Sequence, residues 1–94
     1  MATATWNGHV LADSDDTIVL EGNHYFPPDA VDRAVLRDSE TTSRCRWKGT
    51  ARYYSLEVGG ALNEDAAWSY PRPKLAVRHI KDHIAFWRGV EIEP

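Results

Sequence analysis

Two glycine-bearing dipeptides, Asn7-Gly8 and Gly59-Gly60, constrain this chain more than any other feature. Each lies between short runs rich in β-branched, aromatic and alternating residues. Such dipeptides supply the two positive-φ positions of a type I′ turn, whose twist matches that of paired strands. Thr3–Trp6 and His9–Ala12 therefore read as one hairpin. Arg52–Val58 is strand-like, with Tyr54, Leu56 and Val58 on one face and Tyr53, Ser55 and Glu57 on the other. It returns through Gly59-Gly60 into Ala61–Asn63. Ala66–Tyr70 is a further short strand, ended by Pro71 and Pro73.

Other punctuation fills in the order. Asp13–Asp16 is a polar turn, and Thr17–Glu21 is β-branched and apolar, the pattern of a buried strand. Gly22-Asn23 makes a tight connection to Tyr25-Phe26, and Pro27-Pro28 blocks any ladder there. Pro28 opens a short helix over Asp29–Leu36, with Val31, Val35 and Leu36 at helical spacing. Asp38–Arg46 reads as irregular and polar, and Leu75–Lys81 as a helical turn or two. Ile84–Trp87 and Val90–Ile92 read as strands around Arg88-Gly89. The expectation is a mainly β body of seven or eight short strands and two short helices. Its hairpin-rich order suggests an antiparallel barrel or sandwich.

At 94 residues the chain is expected to form a single domain, spanning 1–94. One cysteine excludes an internal disulfide framework and any all-cysteine zinc site. No apolar run reaches the roughly 18–20 residues of a membrane span, and no apolar h-region follows Met1. The expected setting is cytoplasmic, without a membrane partner. A net charge of −3 points away from nucleic acid, which needs a basic field.

The densest run of distinctive residues is Thr41-Thr42-x-x-Cys45-x-Trp47-Lys48-Gly49-x-Ala51-x-Tyr53-Tyr54-Ser55. Glu21-Gly-Asn-His24-Tyr25-Phe26-Pro27 precedes it. Ala67-Trp68-Ser-Tyr70-Pro71-Arg-Pro73 and His83-Ile-Ala85-Phe86-Trp87 follow. In this order and spacing the chain resembles the DUF427 family of small domains of unknown function, over nearly its whole length. The family pattern often has proline after the cysteine, where this chain has Arg46. The resemblance implies a folded-over antiparallel sheet of the Mss4-like, or β-tent, type. Relatives of that fold hold zinc through two Cys-x-x-Cys pairs, which this chain lacks, so no metal and no cofactor are expected.

The family's label hints at nucleotidyl transfer, which needs carboxylates for Mg²⁺ and a phosphate cradle. Asp13 and Asp15 have the right spacing but sit in a predicted turn, with no glycine-serine helix start before them. The central block is the better candidate. Lys48 beside Cys45 can favour a thiolate, and Glu21, ending an apolar strand, is the natural partner for Lys48. Tyr25, Tyr53 and Tyr70 can supply hydroxyls and His24 a proton acceptor. Trp47 and Trp68 can supply apolar walls. If Lys48 and Glu21 pair in the interior, Lys48→Met is expected to cost about 3 kcal/mol by stranding a carboxylate. His24, Cys45, His83 and Glu21 include metal-ligand types, but at no diagnostic spacing. Arg44, Arg46, Lys48 and Arg52 around Trp47 form a basic aromatic patch; the simpler reading is a solvated loop.

Two readings stay open. In one, a pocket binds a small molecule: Cys45, Lys48 and Glu21 carry any chemistry, and His24, Tyr25, Trp47, Tyr53, Trp68 and Tyr70 contact the ligand. Cys45 is then nucleophile or wall, placed at the pocket floor. In the other, the same residues are structural and the chain is a non-catalytic interaction module, forming a homodimer.

Overall fold

The computed structural model covers residues 1–94 and contains nine β-strands. Strands β1 (Ala2–Trp6) and β2 (His9–Ser14) pair antiparallel across Asn7-Gly8, whose φ values of 50° and 76° are those of the predicted turn. Strands β3 (Ile18–Leu20) and β4 (Asn23–Tyr25) form a small second hairpin. Its turn is Glu21-Gly22, with φ of 53° and 79°, one residue earlier than Gly22-Asn23. Strands β5 (Leu36–Cys45), β6 (Gly49–Val58), β7 (Ala61–Ser69) and β8 (Ile84–Phe86) make an open antiparallel sheet in that order. Strand β9 (Glu91–Glu93) crosses back to pair with β1, giving a three-stranded sheet β2-β1-β9. The body is mainly β and antiparallel, with no closed barrel.

Several sequence expectations change. Asp38–Arg46 is not irregular: its residues through Cys45 belong to β5, an edge strand. An edge strand facing water carries no apolar alternation, so nothing in its composition announces it. Ala61–Asn63 and Ala66–Tyr70 are one strand through Ser69, bulged where the β6–β7 register shifts between Tyr54 and Leu56. Thr17–Glu21 is not a buried strand; Val19 is 59% exposed because it lies in a two-stranded ribbon. The helix expected over Asp29–Leu36 is replaced by two 3₁₀ turns, Pro28–Ala30 and Arg33–Val35. Val31 is extended between them and bridges to Ala12, while the Asp32 carboxylate accepts from the Ala34 amide. Leu75–Ile80 is also 3₁₀, kinked at Val77. Strands β8 and β9 do not form a hairpin around Arg88-Gly89 but belong to different sheets.

Strands β6 to β8 of this sheet are packed on both faces. In register across β6, β7 and β8 stand Tyr54, Ala67 and Phe86 on one side, and Tyr53, Trp68 and Ala85 on the other. The first set packs with Leu11, Phe26 and Leu56 against the β1–β2 hairpin. The second joins Tyr25, Tyr70, Val77 and Ile80, from β4 and the 3₁₀ segment. Tyr25 and Phe26, adjacent in sequence, anchor opposite faces, and Phe26 exchanges backbone hydrogen bonds with Ile84 (2.8 and 2.9 Å).

Candidate functional site

A cavity of about 260 Å³ opens on the aromatic side of the central sheet. Strand alternation puts Tyr53 and Trp68 there, side by side in register. Tyr70 follows two residues after Trp68, Tyr25 reaches in from β4, and Trp87 from just beyond β8. The rings form one connected cluster. Trp68 stands edge-on to Tyr25 (centroids 6.3 Å, 88°) and to Trp87 (5.7 Å, 75°). Tyr53 tilts against both Trp68 and Trp87 at 6.4 Å, and Tyr70 against Tyr25 at 6.5 Å.

The polar ends of most of these rings are engaged within the chain. Trp68 Nε1 donates to the Tyr25 hydroxyl (3.2 Å), and the Tyr53 hydroxyl bonds Ser43 Oγ (2.9 Å). Trp87 Nε1 donates to the Asp65 carbonyl (2.6 Å). Asp65 sits at the β7 bulge with φ of 52°, and its carboxylate accepts from Ser39 (2.6 Å) and Thr41 (2.8 Å). Those two bonds hold the Asp65 carboxyl below its usual range. The Tyr70 hydroxyl and the Asn23 amide have no hydrogen-bond partner in the chain, and both residues line the cavity.

Lys48 brings the one charge among the lining residues. It comes from the three-residue turn between Cys45 and Gly49, and it is buried. Its ammonium donates to Glu21 and lies 5.2 Å from the Trp47 ring centre and 5.7 Å from that of Tyr70. Burial alone would lower its pKa. The Glu21 hydrogen bond and the neighbouring Tyr70 and Tyr25 phenols outweigh burial and hold it above the usual lysine value. Burial pushes the Tyr70 phenol up to about 12. At neutral pH the cavity therefore presents a charged ammonium and a neutral phenol, both donors. Neither is a base or a nucleophile in that state.

The residues singled out from sequence separate into groups. Tyr25, Lys48, Tyr53, Trp68 and Tyr70 meet at the cavity, and Glu21 reaches it through Lys48. The expected Lys48–Glu21 contact is made, but Glu21 keeps 47% of its side chain exposed against 9% for Lys48. Removing Lys48 would return Glu21 to water rather than strand it, which corrects the expected cost of Lys48→Met. Cys45 is half-buried at the edge of the second core cluster and is not among the lining residues. His24 turns aside to bond Thr17 (3.1 Å), and Trp47 is 44% exposed beside Lys48. The structure gathers no set of three His, Cys, Asp or Glu side chains fit to hold a metal. Asn23 and Trp87 went unrecognised in the sequence. Trp87 carried a signal, since it closes the His83–Trp87 block; Asn23 read only as a turn residue.

A family model described as a domain of unknown function, DUF427, matches residues 1–93. No curated protein matches the chain.

Proposed function

The chain belongs to the DUF427 family, which is defined without a function, and from its pocket we propose that it binds a small planar molecule bearing an oxygen acceptor. One observation carries this reading: an aromatic enclosure holds two unpaired polar groups, the Tyr70 hydroxyl and the Asn23 amide, beside the Lys48 ammonium. Apolar walls with a few convergent polar groups are the usual make-up of a small-molecule site. At about 260 Å³ the space suits a single or fused ring, a little under the ~300–1,000 Å³ of drug-sized sites. Trp68 and Trp87 stack or edge against the ring. Lys48, with Glu21 holding one of its protons, and Tyr70 donate to a carboxylate or carbonyl oxygen.

The reading is binding rather than catalysis, because the Lys48 ammonium and the Tyr70 phenol stay protonated near neutral pH. Cys45 belongs to the margin of the site, and His24 and Trp47 flank it. The domain acts as one unit over 1–94. The single free cysteine fits a reducing, cytoplasmic setting. No helix is long and apolar enough to cross a membrane.

A second reading is a homodimer. Trp47 and Trp87 are 44% and 43% exposed at the pocket, and a second copy seated there would cover both. Native mass spectrometry of the purified protein tests the two together. A small-molecule adduct that is retained by the wild type and lost from Tyr70→Phe supports the pocket. A dimer free of any adduct supports the module.

A further inference from the structure

The opposite side of the β5–β6 hairpin end carries a second concavity, of about 370 Å³. Its lining contains no aromatic side chain, and the Pro71 ring is its one apolar side chain. Arg44, Arg52, Arg72 and Lys74 are there with the hydroxyls of Thr42 and Thr50. Strand geometry explains the segregation. Thr42 pairs with Arg52, and Arg44 with Thr50, so these four share one face. The intervening residues Ser43, Cys45, Ala51 and Tyr53 turn to the aromatic side.

The chain then brings two more cations to this face. Pro71–Lys74 folds back over the hairpin end, where the Lys74 amide donates to the Lys48 carbonyl (2.9 Å) and its ammonium to the Arg46 carbonyl. Gly49, at φ of 113°, permits the approach: a Cβ there would stand 3.2 Å from the Arg72 carbonyl. Prolines on both sides of Arg72 restrict the segment that presents it.

The charge is concentrated against the trend of the molecule. The chain is net −3, yet four of its 11 Lys and Arg residues line this concavity without an acidic lining residue. Arg52 has a partner in Asp38 (3.0 Å), which is itself 82% exposed. The side chains of Arg44 and Arg72 have neither an ion pair nor a hydrogen bond within the chain. Like charges held together oppose folding, and a bound polyanion relieves them. A simple solvated face has no need of concavity, or of a second segment that delivers further cations to it.

We propose that this groove binds linked phosphate groups, of the pyrophosphate or triphosphate type. Guanidinium forks match phosphate oxygens two at a time, and the threonine hydroxyls add neutral donors. Four cations exceed what one phosphate dianion neutralises. No aromatic side chain lines the groove to offer a base a π-face, and Pro71 is its one apolar side chain, so the groove reads mainly charge and oxygen geometry. The site is separate from the aromatic pocket and stands on none of its residues.

The test is calorimetric titration of the full chain with sodium tripolyphosphate at about 50 mM and about 200 mM salt. Saturable one-to-one binding that weakens with salt is expected. The double variant Arg44→Ala/Arg72→Ala should bind at least about tenfold more weakly, while Arg33→Ala, away from the groove, stays within about twofold. Both side chains are exposed and make no hydrogen bond or ion pair within the chain, so the double variant should melt with the wild type. Adenosine triphosphate binding no tighter than tripolyphosphate supports recognition of phosphate alone. Binding more than about tenfold tighter would overturn it. No binding at the lower salt, or binding indifferent to the double variant, would overturn the site itself.

Discussion

The buried Lys48 ammonium donates to a Glu21 carboxylate that is itself nearly half exposed. The asymmetry decides which partner matters more. Glu21→Gln leaves a covered ammonium with only a neutral acceptor, at a cost of about 1 kcal/mol or more. Lys48→Met removes the buried charge, fills similar volume and leaves Glu21 to water, so it should cost less. Urea unfolding of both variants checks the order; a larger loss for Lys48→Met would contradict it.

The same group, with Tyr70, sets the alkaline limit of stability. Both pKa values are raised in the folded protein. The folded state therefore holds protons that the unfolded chain gives up, and stability falls as pH rises from about 10. Tyr70, moved from 10.0 to about 12, accounts for a loss on the order of 2 kcal/mol across that window. Stability measured from pH 8 to 12 should decline less steeply for Tyr70→Phe than for the wild type.

At the acid end the sign reverses. Hydrogen bonds from Ser39 and Thr41 lower the Asp65 pKa, and the His9 bond lowers that of Asp32. Their contribution is present above about pH 4 and fades as pH drops through the folded values. Asp65→Ala should cost about 1–3 kcal/mol, since it loses two acceptors and keeps a positive φ. Asp65→Asn tolerates the backbone better and should cost less. Chemical unfolding at pH 7 and pH 3.5 tests both statements; the gap between Asp65→Asn and wild type should narrow at the lower pH.

The hairpin turns were legible because only a few residue types accept positive φ, and Asn7-Gly8 and Gly59-Gly60 announce it. Strand β5 was not: Arg37 to Arg44 is polar throughout, and its strand character comes from pairing with β6. The break at Val31 was hidden for a similar reason, since its bridge to Ala12 is a long-range contact. At the site, Lys48 and Glu21 could be matched as two charges edging apolar segments. Trp87 could not be placed, because what turns it to the cavity is the carbonyl of a bulged Asp65. The basic groove needed both the alternation of β5 and β6 and the return of Arg72 and Lys74, and only the first was visible along the chain.

Cys45 lies beside the pocket rather than in its lining. Iodoacetamide should label the folded protein more slowly than the unfolded protein, because the thiol is half-covered. Cys45→Ala should leave binding of small aromatic acids within about twofold of wild type. Loss of that binding would restore the cysteine to the site.

The most direct test of the pocket is a benzoate titration followed by the indole N–H signals of the four tryptophans in nitrogen-correlated NMR spectra. Trp68 and Trp87 line the cavity, while Trp6 packs against the core on the other side of the sheet. The account predicts saturable shifts of the Trp68 and Trp87 signals with Trp6 unmoved, and loss of those shifts in Tyr70→Phe/Lys48→Met. Signals that stay still at saturating benzoate, or that all move together, would contradict it.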